Sequence, residues 1–505
     1  MNKPSFYLFI LLLIGPPASA QIAAVKPGEG AKNDQLKEVI VNYTMHFDIG
    51  YTDLASAVLY NYKTKLADSI IHSMKATSRL PKGKQFIWSI PAWPLKYMLE
   101  NTSPRRRAGL EAAIKNKRLD LLALPFVMET ESSGMENLVR GLNFSSTLSQ
   151  KFNLPPPTEA KMADVPEHSW ILPTLLTHAG IKILYLGCNP GSVSPDVPHL
   201  FWWEGPDGSR LLTFYWDKYY GSGLLPPKNW KYKTWVAMIS THENTGPPGP
   251  EEVNKTLEEA KQELPGVKVR MGTLTDFYNA IIKENPDIPV IRGDMPDTWI
   301  HGFMSMPESV KTDKYYQHAI YESEALHTLE QTWNVKTYPI HDEVSKAVEQ
   351  MLLFEEHTFG VALSHGAGSE FTYGNNFIIN RARGFYNRAE ISWREKKAHT
   401  EEVERIGAML SSNMLRYLAA STAVNGKRVV VYNSLPWKRS GNVTMFMNIY
   451  RKDKTVTALK DTRNNKLIPV YNKGNLLQFY AEDVPAMGYA TYIPVFDGEQ
   501  LQVNN

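Results

Sequence analysis

The sequence predicts an α/β protein in which an irregular (β/α) barrel is followed by a helical bundle and a small C-terminal β-rich domain. Strand-like and helix-like segments alternate between residues 38 and 284, and this alternation favours a mainly parallel sheet or barrel. Beyond Glu308 the apolar residues recur at helical spacing. From Lys427 onward β-branched and aromatic residues become frequent. We therefore predict three domains, over residues 37–307, 308–425 and 426–505.

The alternation consists of short apolar runs and longer amphipathic segments. The runs that predict strands cover residues 38–45, 85–90, 119–124, 181–187 and 267–270. The segments that predict helices cover residues 53–78, 104–117, 171–179, 251–264 and 273–284, and later 315–333, 342–358 and 385–423.

The first twenty residues have the pattern of a cleavable signal peptide. Lys3 precedes an apolar run from Phe6 to Ile14, and small residues at 18–20 allow cleavage after Ala20. The run is too short to span a bilayer, which takes about 20 apolar residues. We expect a linker over residues 21–36 and a secreted or periplasmic protein.

Composition limits the partners of the mature chain. The chain has 55 basic and 52 acidic residues, for a net charge of +3, so it has no electrostatic reason to bind nucleic acid. We predict no membrane span, because no later stretch is sufficiently long and apolar. Cys188 is the only cysteine, which excludes an intrachain disulfide and fits a periplasmic protein. A homo-oligomer is compatible with the sequence.

Three segments contain residues that suit metal chemistry. His46 and Asp48 close the first predicted strand, so their side chains lie on one face at the end where α/β barrels place their active sites. Asp164 ends a short segment after a proline-rich stretch, and we expect a helix to follow it directly. His357 is predicted in the last turn of an apolar helix. Singly, each has an ordinary structural explanation, such as helix capping or the helix dipole.

Together, two imidazoles and two carboxylates from distant points in the chain suit a mixed nitrogen and oxygen zinc site. The ordered set resembles glycoside hydrolase family 38, the α-mannosidases. The matching motifs are His46, Asp48 and Gly50; Asp164 with His168 and Ser169; His357; "LFWWEGPDGSRLLTFY" at 200–215; and "YNSLPW" and "VPAMGYATY" in the β-rich segment.

The resemblance implies a retaining glycoside hydrolase that acts on carbohydrate with one Zn²⁺ per chain. By the same resemblance, the metal ligands would be His46, Asp48, Asp164 and His357. Asp164 would also be the nucleophile that forms a covalent glycosyl-enzyme, and an acid/base carboxyl would lie about 5 Å from it.

The resemblance leaves the acid/base residue open. Asp297, five positions before Gly302, is our candidate, with Asp294 second. The position where the family pattern places the acid is Thr298 here. Both aspartates also flank Pro296 and suit an ordinary turn.

Candidate substrate-binding residues are Trp299, His301, Thr358 and His168. Thr358 replaces an aspartate that follows the metal-binding histidine in the family and contacts sugar hydroxyls. This departure leaves a sugar other than mannose as an alternative. Together with Thr298, it also leaves open a glycan-binding protein without catalysis. A polysaccharide deacetylase is disfavoured, since the chain lacks the Asp-Asp and His-x-x-x-His patterns of that class.

Overall fold

The structure is a computed structural model that describes residues 35–241, 243–295, 299–360, 373–446 and 455–496. The predicted signal peptide lies outside the described residues, as does the predicted linker apart from its last two residues. The chain divides into two compact units. The first holds Met1–Pro307 and Leu352–Lys397, and the second holds Glu308–Met351 and Ala398–Asn505. The three-domain division stays a prediction.

The elements of the described residues follow one another along the chain. The strands are β1 (Glu38–Met45), β2 (Trp88–Ile90), β3 (Leu119–Leu121), β4 (Glu159–Asp164), β5 (Ile183–Cys188), β6 (Leu200–Glu204), β7 (Arg210–Trp216), β8 (Thr234–Thr241), β9 (Lys268–Met271), β10 (Val290–Arg292), β11 (Val429–Asn433), β12 (Arg439–Phe446), β13 (Val456–Asp461), β14 (Leu467–Pro469), β15 (Tyr471–Lys473), β16 (Leu476–Val484) and β17 (Gly488–Phe496). The helices are α1 (Ala55–Asn61), α2 (Ala67–Ala76), α3 (Ala92–Asn101), α4 (Pro104–Lys115), α5 (Met135–Gly141), α6 (Asn143–Phe152), α7 (Ile171–His178), α8 (Pro250–Glu263), α9 (Leu274–Glu284), α10 (Ile300–Met304), α11 (Pro307–Thr332), α12 (His341–Glu355), α13 (Gly374–Ala382) and α14 (Asn387–Ser421).

Two five-stranded sheets form the centre of the first unit. One has the order β3-β2-β1-β8, with β9 also paired to β1, and all of its pairs are parallel. The other has the order β10-β6-β7-β5-β4 and is parallel except for the β6–β7 pair. The amide of Ala123, after β3, donates to the carbonyl of Glu159 in β4 at 2.9 Å. The ends of strands from both sheets therefore lie close together.

The strands that carry the site are buried on both faces. All eight residues of β8 and all six of β4 are buried, as are seven of the eight in β1. Burial on both faces is typical of a parallel sheet covered by helices. Helices complete this cover, and α9 begins with a capping box in which the side chains of Thr273 and Asp276 bond each other's backbone amides.

The α/β class is confirmed, with parallel sheets and helices along the first unit. Strand β1 has the predicted bounds, and α4, α7, α8 and α9 lie within about two residues of theirs. The segment predicted as one helix at 53–78 is α1 and α2 joined by a π-helical turn at Tyr62–Leu66. Strands β4, β6, β7, β8 and β10 were not predicted.

Two predictions around the site are wrong in detail. No helix directly follows Asp164, since α7 begins at Ile171. His357 is not in the last turn of a helix, because α12 ends at Glu355. The backbone beyond α12 bonds to residues 127–129 instead: Glu356 forms an isolated antiparallel bridge with Met128, and the His357 amide donates to the carbonyl of Val127 at 3.2 Å.

The second unit contains helices and antiparallel sheets. The orders of its two sheets are β11-β17-β13-β14 and β12-β16-β15. A buried apolar cluster that includes Leu459, Leu477 and Tyr492 draws residues from both sheets. Among the helical parts of this unit, Ser323 of α11 lies 3.1 Å from Ser411 of α14.

None of the helices in the described part of the chain combines the length and the apolar character needed to cross a bilayer.

Candidate metal centre and active site

The four side chains predicted as metal ligands converge at one point of the first unit. His46 and Asp48 come directly after β1, and Asp164 is the last residue of β4. His357 lies two residues beyond α12. Carboxyl ends of parallel strands meet on the same side of an α/β protein, and the chain after α12 returns to that side. Four atoms, one from each residue, all lie within 4.8 Å of one another.

The individual distances describe a tight cluster of nitrogen and oxygen atoms. His46 Nε2 lies 2.7 Å from Asp48 Oδ1, 3.5 Å from Asp164 Oδ2 and 3.1 Å from His357 Nε2. His357 Nε2 lies 3.1 Å from Asp164 Oδ2 and 3.3 Å from Asp48 Oδ1. Ligands at tetrahedral zinc bonding distance are about 3.3 Å from one another. The four residues therefore fit a zinc-sized cation.

The cluster is buried, which makes its charges interdependent. The exposed fractions are 1% for His46 and Asp48, 2% for His357 and 6% for Asp164. Burying a charged group is costly unless it is paired. Two carboxylates can be retained at this point only together with positive charge, as protons or as a metal cation. The mixed imidazole and carboxylate set is one that zinc accepts.

The pKa values follow from burial and from the neighbouring charges. Burial by itself lowers the pKa of His46 and His357, but Asp48, Asp164 and, for His357, Glu356 raise both pKa values above the ordinary range. Burial by itself raises the pKa of Asp48 and Asp164, but the two histidines lower both below the ordinary range. Both carboxylates are therefore held in the ionised form.

Asp164 is held in a strained backbone conformation. Its φ is +85°, a region that residues with a side chain rarely occupy. Tyr220 Oη donates to its Oδ1 at 2.5 Å, and Asn189 Nδ2 donates to the same oxygen at 2.6 Å. The other oxygen, Oδ2, faces His46 and His357. Strain of this kind persists where the surroundings fix a residue, and it is frequent at functional sites.

Aromatic rings border the cluster. The ring centroid of Tyr220 lies 4.6 Å from that of His46, and the ring of Tyr219 stacks on Tyr220. Trp299, a predicted substrate-binding residue, lies with its ring centroid 6.3 Å from that of His357. Its indole nitrogen donates to Ser192 Oγ at 2.6 Å. The substrate-binding role of Trp299 stays a prediction.

The other predicted substrate-binding residues lie in different surroundings. His168 is buried, with Nδ1 3.1 Å from the hydroxyl of Thr130. The Thr358 hydroxyl lies 2.9 Å from the carbonyl of Ile49 and bonds the carboxylate of Glu356. His301 belongs to α10, and its side chain lies outside the described residues. These assignments stay predictions.

The acid/base candidate Asp297 also lies outside the described residues, together with Thr298. The second candidate, Asp294, is described. Its Oδ1 accepts a hydrogen bond from the amide of Trp170 at 2.7 Å. This contact ties the side chain to the backbone at the start of α7.

Sequence reasoning missed four residues around the cluster: Asn189, Tyr220 and Glu356, which contact it, and Lys396, which contacts Glu356. Asn189 directly follows the buried strand β5, so the rule that sites form at the carboxyl ends of strands could have indicated it. Glu355 and Glu356 directly follow the apolar run at 351–354, where a charge requires a partner. Tyr220 carries no comparable sequence signal.

Comparisons with known proteins agree with this geometry. Residues 36–296 match the model of the glycosyl hydrolases family 38 N-terminal domain. The fold is similar to that of an α-mannosidase from Enterococcus faecalis V583, with a TM-score of 0.66 and 14% identity, over 91% of this chain and 56% of that one. A glycosyl hydrolase family 38 protein from Enterococcus faecalis gives a TM-score of 0.61 and 14% identity, over 93% and 55% of the two chains. No curated protein sequence matches significantly.

The structural relatives and the family match carry different weight. The chain spans about half the length of the solved structures it resembles, at 56% and 55%. The TM-scores of 0.66 and 0.61 show a shared fold, and an identity of 14% with both leaves the substrate to be established. The family match is of another kind, because it covers more than half of the 505 residues and includes His46, Asp48 and Asp164. The chain belongs to glycosyl hydrolase family 38.

Proposed function

We propose that the protein is a zinc-dependent, retaining, α-mannosidase-like glycoside hydrolase that releases sugars from glycans. One observation carries the proposal: two imidazoles and two carboxylates meet within 4.8 Å around the strained, ionised Asp164. Family membership and the fold support the glycosidase class. The proposal also includes the identity of the metal as zinc, retention of configuration and the sugar. It further includes the barrel architecture and export by the predicted signal peptide.

The proposed metal ligands are His46, Asp48, Asp164 and His357. When bound there, zinc would hold adjacent sugar hydroxyls and favour a distorted ring close to an oxocarbenium-like transition state. The chain's own contribution is to keep the four donor atoms together in a buried position. It does so by placing three of the four residues at the ends of β1 and β4.

Asp164 is the proposed nucleophile. Its carboxylate attacks the anomeric carbon while the leaving oxygen takes a proton from a carboxylic acid, for which Asp297 is our candidate. The resulting glycosyl ester is then hydrolysed by water, with the same acid residue acting as base. A nucleophile must be ionised at neutral pH, and the two histidines lower the pKa of Asp164 for this purpose. Tyr220 and Asn189 orient it.

Two alternatives share this site. A hydrolase for a sugar other than mannose is favoured by Thr358, whose hydroxyl bonds Glu356 and the carbonyl of Ile49. A neutral hydroxyl that is already bonded within the protein offers fewer hydrogen bonds to a substrate than an aspartate would. A glycan-binding protein without catalysis would keep the metal site and lack the acid.

Turnover of aryl α-glycosides tests the proposal. With zinc present, we expect an aryl α-mannoside or a related aryl α-glycoside to be hydrolysed with retention of configuration, because Asp164 forms a covalent intermediate. Chelation should abolish turnover, and added zinc should restore it. The release of aryl alcohol and the anomer formed first are measured, the anomer by proton NMR. Zinc binding without turnover of any glycoside would favour the glycan-binding alternative instead.

Tyr220→Phe tests the positioning of the nucleophile. Loss of the 2.5 Å hydrogen bond to Asp164 Oδ1 leaves the carboxylate less constrained, and we expect kcat to fall about 10- to 100-fold. Zinc content should not change, since the Tyr220 hydroxyl is not a proposed ligand. Tyr215→Phe is the matched control, because that buried hydroxyl donates to the carbonyl of Pro166. Equal kcat values for the two variants would refute a role for Tyr220.

Metal affinity should rise with pH. The pKa values of His46 and His357 are raised above the ordinary range, so protons compete with zinc for the same nitrogens up to a higher pH than in free histidine. Each proton that must leave changes the apparent affinity by about tenfold per pH unit below the relevant pKa. The lowered pKa values of Asp48 and Asp164 oppose binding only in stronger acid. Competition with a chelator over a pH series measures the slope, and a flat profile through the acid range would contradict the assignment.

A further inference from the structure

Glu356 contacts the far side of a proposed metal ligand. Its Oε1 lies 2.9 Å from Nδ1 of His357, and both side chains are fully buried. The opposite nitrogen of the same ring, Nε2, faces Asp48 and Asp164. The imidazole of His357 therefore lies between a buried carboxylate and the metal cluster. The contact between Oε1 and Nδ1 departs from the geometry of a straight hydrogen bond.

The carboxylate of Glu356 is confined through its second oxygen. Oε2 accepts from the amide of Thr358 at 3.0 Å and also bonds the Thr358 hydroxyl. Lys396 Nζ lies 3.5 Å from the same oxygen. Buried charges require this kind of pairing. With Oε2 held by three groups, Oε1 is left directed at His357.

Lys396 is itself fixed where it stands. Its Nζ donates to the carbonyls of Glu356 at 2.8 Å and Leu353 at 3.1 Å, and it lies 4.4 Å from the ring centroid of Phe359. The lysine is buried. It places a positive charge opposite the buried carboxylate of Glu356.

The neighbouring Glu355 shows that burial alone does not give this arrangement. Glu355 is also fully buried, but its Oε1 accepts from Asn137 Nδ2 at 3.0 Å. The ion pairs of the other proposed ligand histidine, His46, run from its Nε2 to Asp48 and Asp164. Of the two histidines, His357 is the one with an ion pair at Nδ1 among the described residues.

We propose that Glu356 is a positioning residue for the metal site. It accepts the proton on Nδ1 of His357, which fixes the neutral tautomer whose Nε2 lone pair is available to a metal, and it holds the plane of the ring. Thr358 and Lys396 keep the carboxylate in place. Thr358, which replaces the aspartate of the family pattern, therefore supports the proposed ligand His357 through Glu356. This inference rests on the proposed zinc site and goes beyond it.

Glu356→Gln and Glu355→Gln form a matched pair for the test. Both variants replace a fully buried glutamate at the end of α12 with its neutral isostere. Zinc affinity is measured by competition with a chromophoric chelator. We expect about a 10- to 100-fold loss for Glu356→Gln, and less than about a threefold change for Glu355→Gln. Thermal unfolding of the metal-free proteins shows that each variant is folded.

A second variant covers the case in which Glu356→Gln does not fold. Thr358→Val keeps the shape of the side chain and removes the hydroxyl bonded to Oε2 of Glu356. We expect it to weaken zinc binding about threefold to tenfold, because the carboxylate is less firmly held. Unchanged affinity in this variant would count against the proposed support of Glu356.

The outcomes separate the inference from the proposed function. Equal affinity losses for Glu356→Gln and Glu355→Gln would overturn the positioning role and leave the zinc site intact. A parent protein that binds no zinc would overturn both. Weaker zinc binding in Glu356→Gln alone supports the inference, even if the parent hydrolyses no glycoside and the hydrolase proposal fails.

Discussion

The site depends on the pairing of two buried carboxylates with two buried imidazoles. Two carboxylates, Asp48 and Asp164, are removed from water within 3.5 Å of two imidazoles. Neither carboxylate would stay ionised in that position alone, since burial raises the pKa of each. Positive charge at the same point reverses the shift, and a divalent cation supplies it without relying on protons. The arrangement thus suits a cation, which would leave Asp164 ionised beside it.

The surrounding fold supports this cluster on several sides. Strands β1 and β4 belong to different sheets, and their carboxyl ends deliver three of the four ligands. The return of the chain after α12 adds His357 through backbone bonds to residues 127–129. Tyr220 and Asn189 hold one oxygen of Asp164 in a strained conformation. Glu356, which is bonded by Thr358 and lies 3.5 Å from Lys396, lies 2.9 Å from the outer nitrogen of His357. Loss of one of these contacts should leave a proposed ligand in the site but less firmly positioned.

The α/β class and the four side chains that cluster were predicted from the sequence more fully than the strands and loops that bring those side chains together. Strand β1 was predicted with its observed bounds, and His46 and Asp48 were predicted at its end. Strand β4 escaped prediction because Glu159, Lys161 and Asp164 interrupt its apolar residues, although all six residues are buried. His357 was assigned to a helix because helical periodicity cannot show where backbone bonds switch to a distant segment. Tyr220 and Lys396 reach the site through tertiary contacts with no local pattern.

The central claim is that residues far apart in the sequence bind one metal ion. Zinc content per chain, measured by elemental mass spectrometry, tests it on the parent, on His357→Ala and on the control His199→Ala. His199 is a suitable control because its ring bonds the carbonyl of Tyr215 and is no part of the cluster. We expect about one zinc in the parent and the control and little in His357→Ala. Equal zinc in all three proteins, or none in any after zinc is supplied, would contradict it.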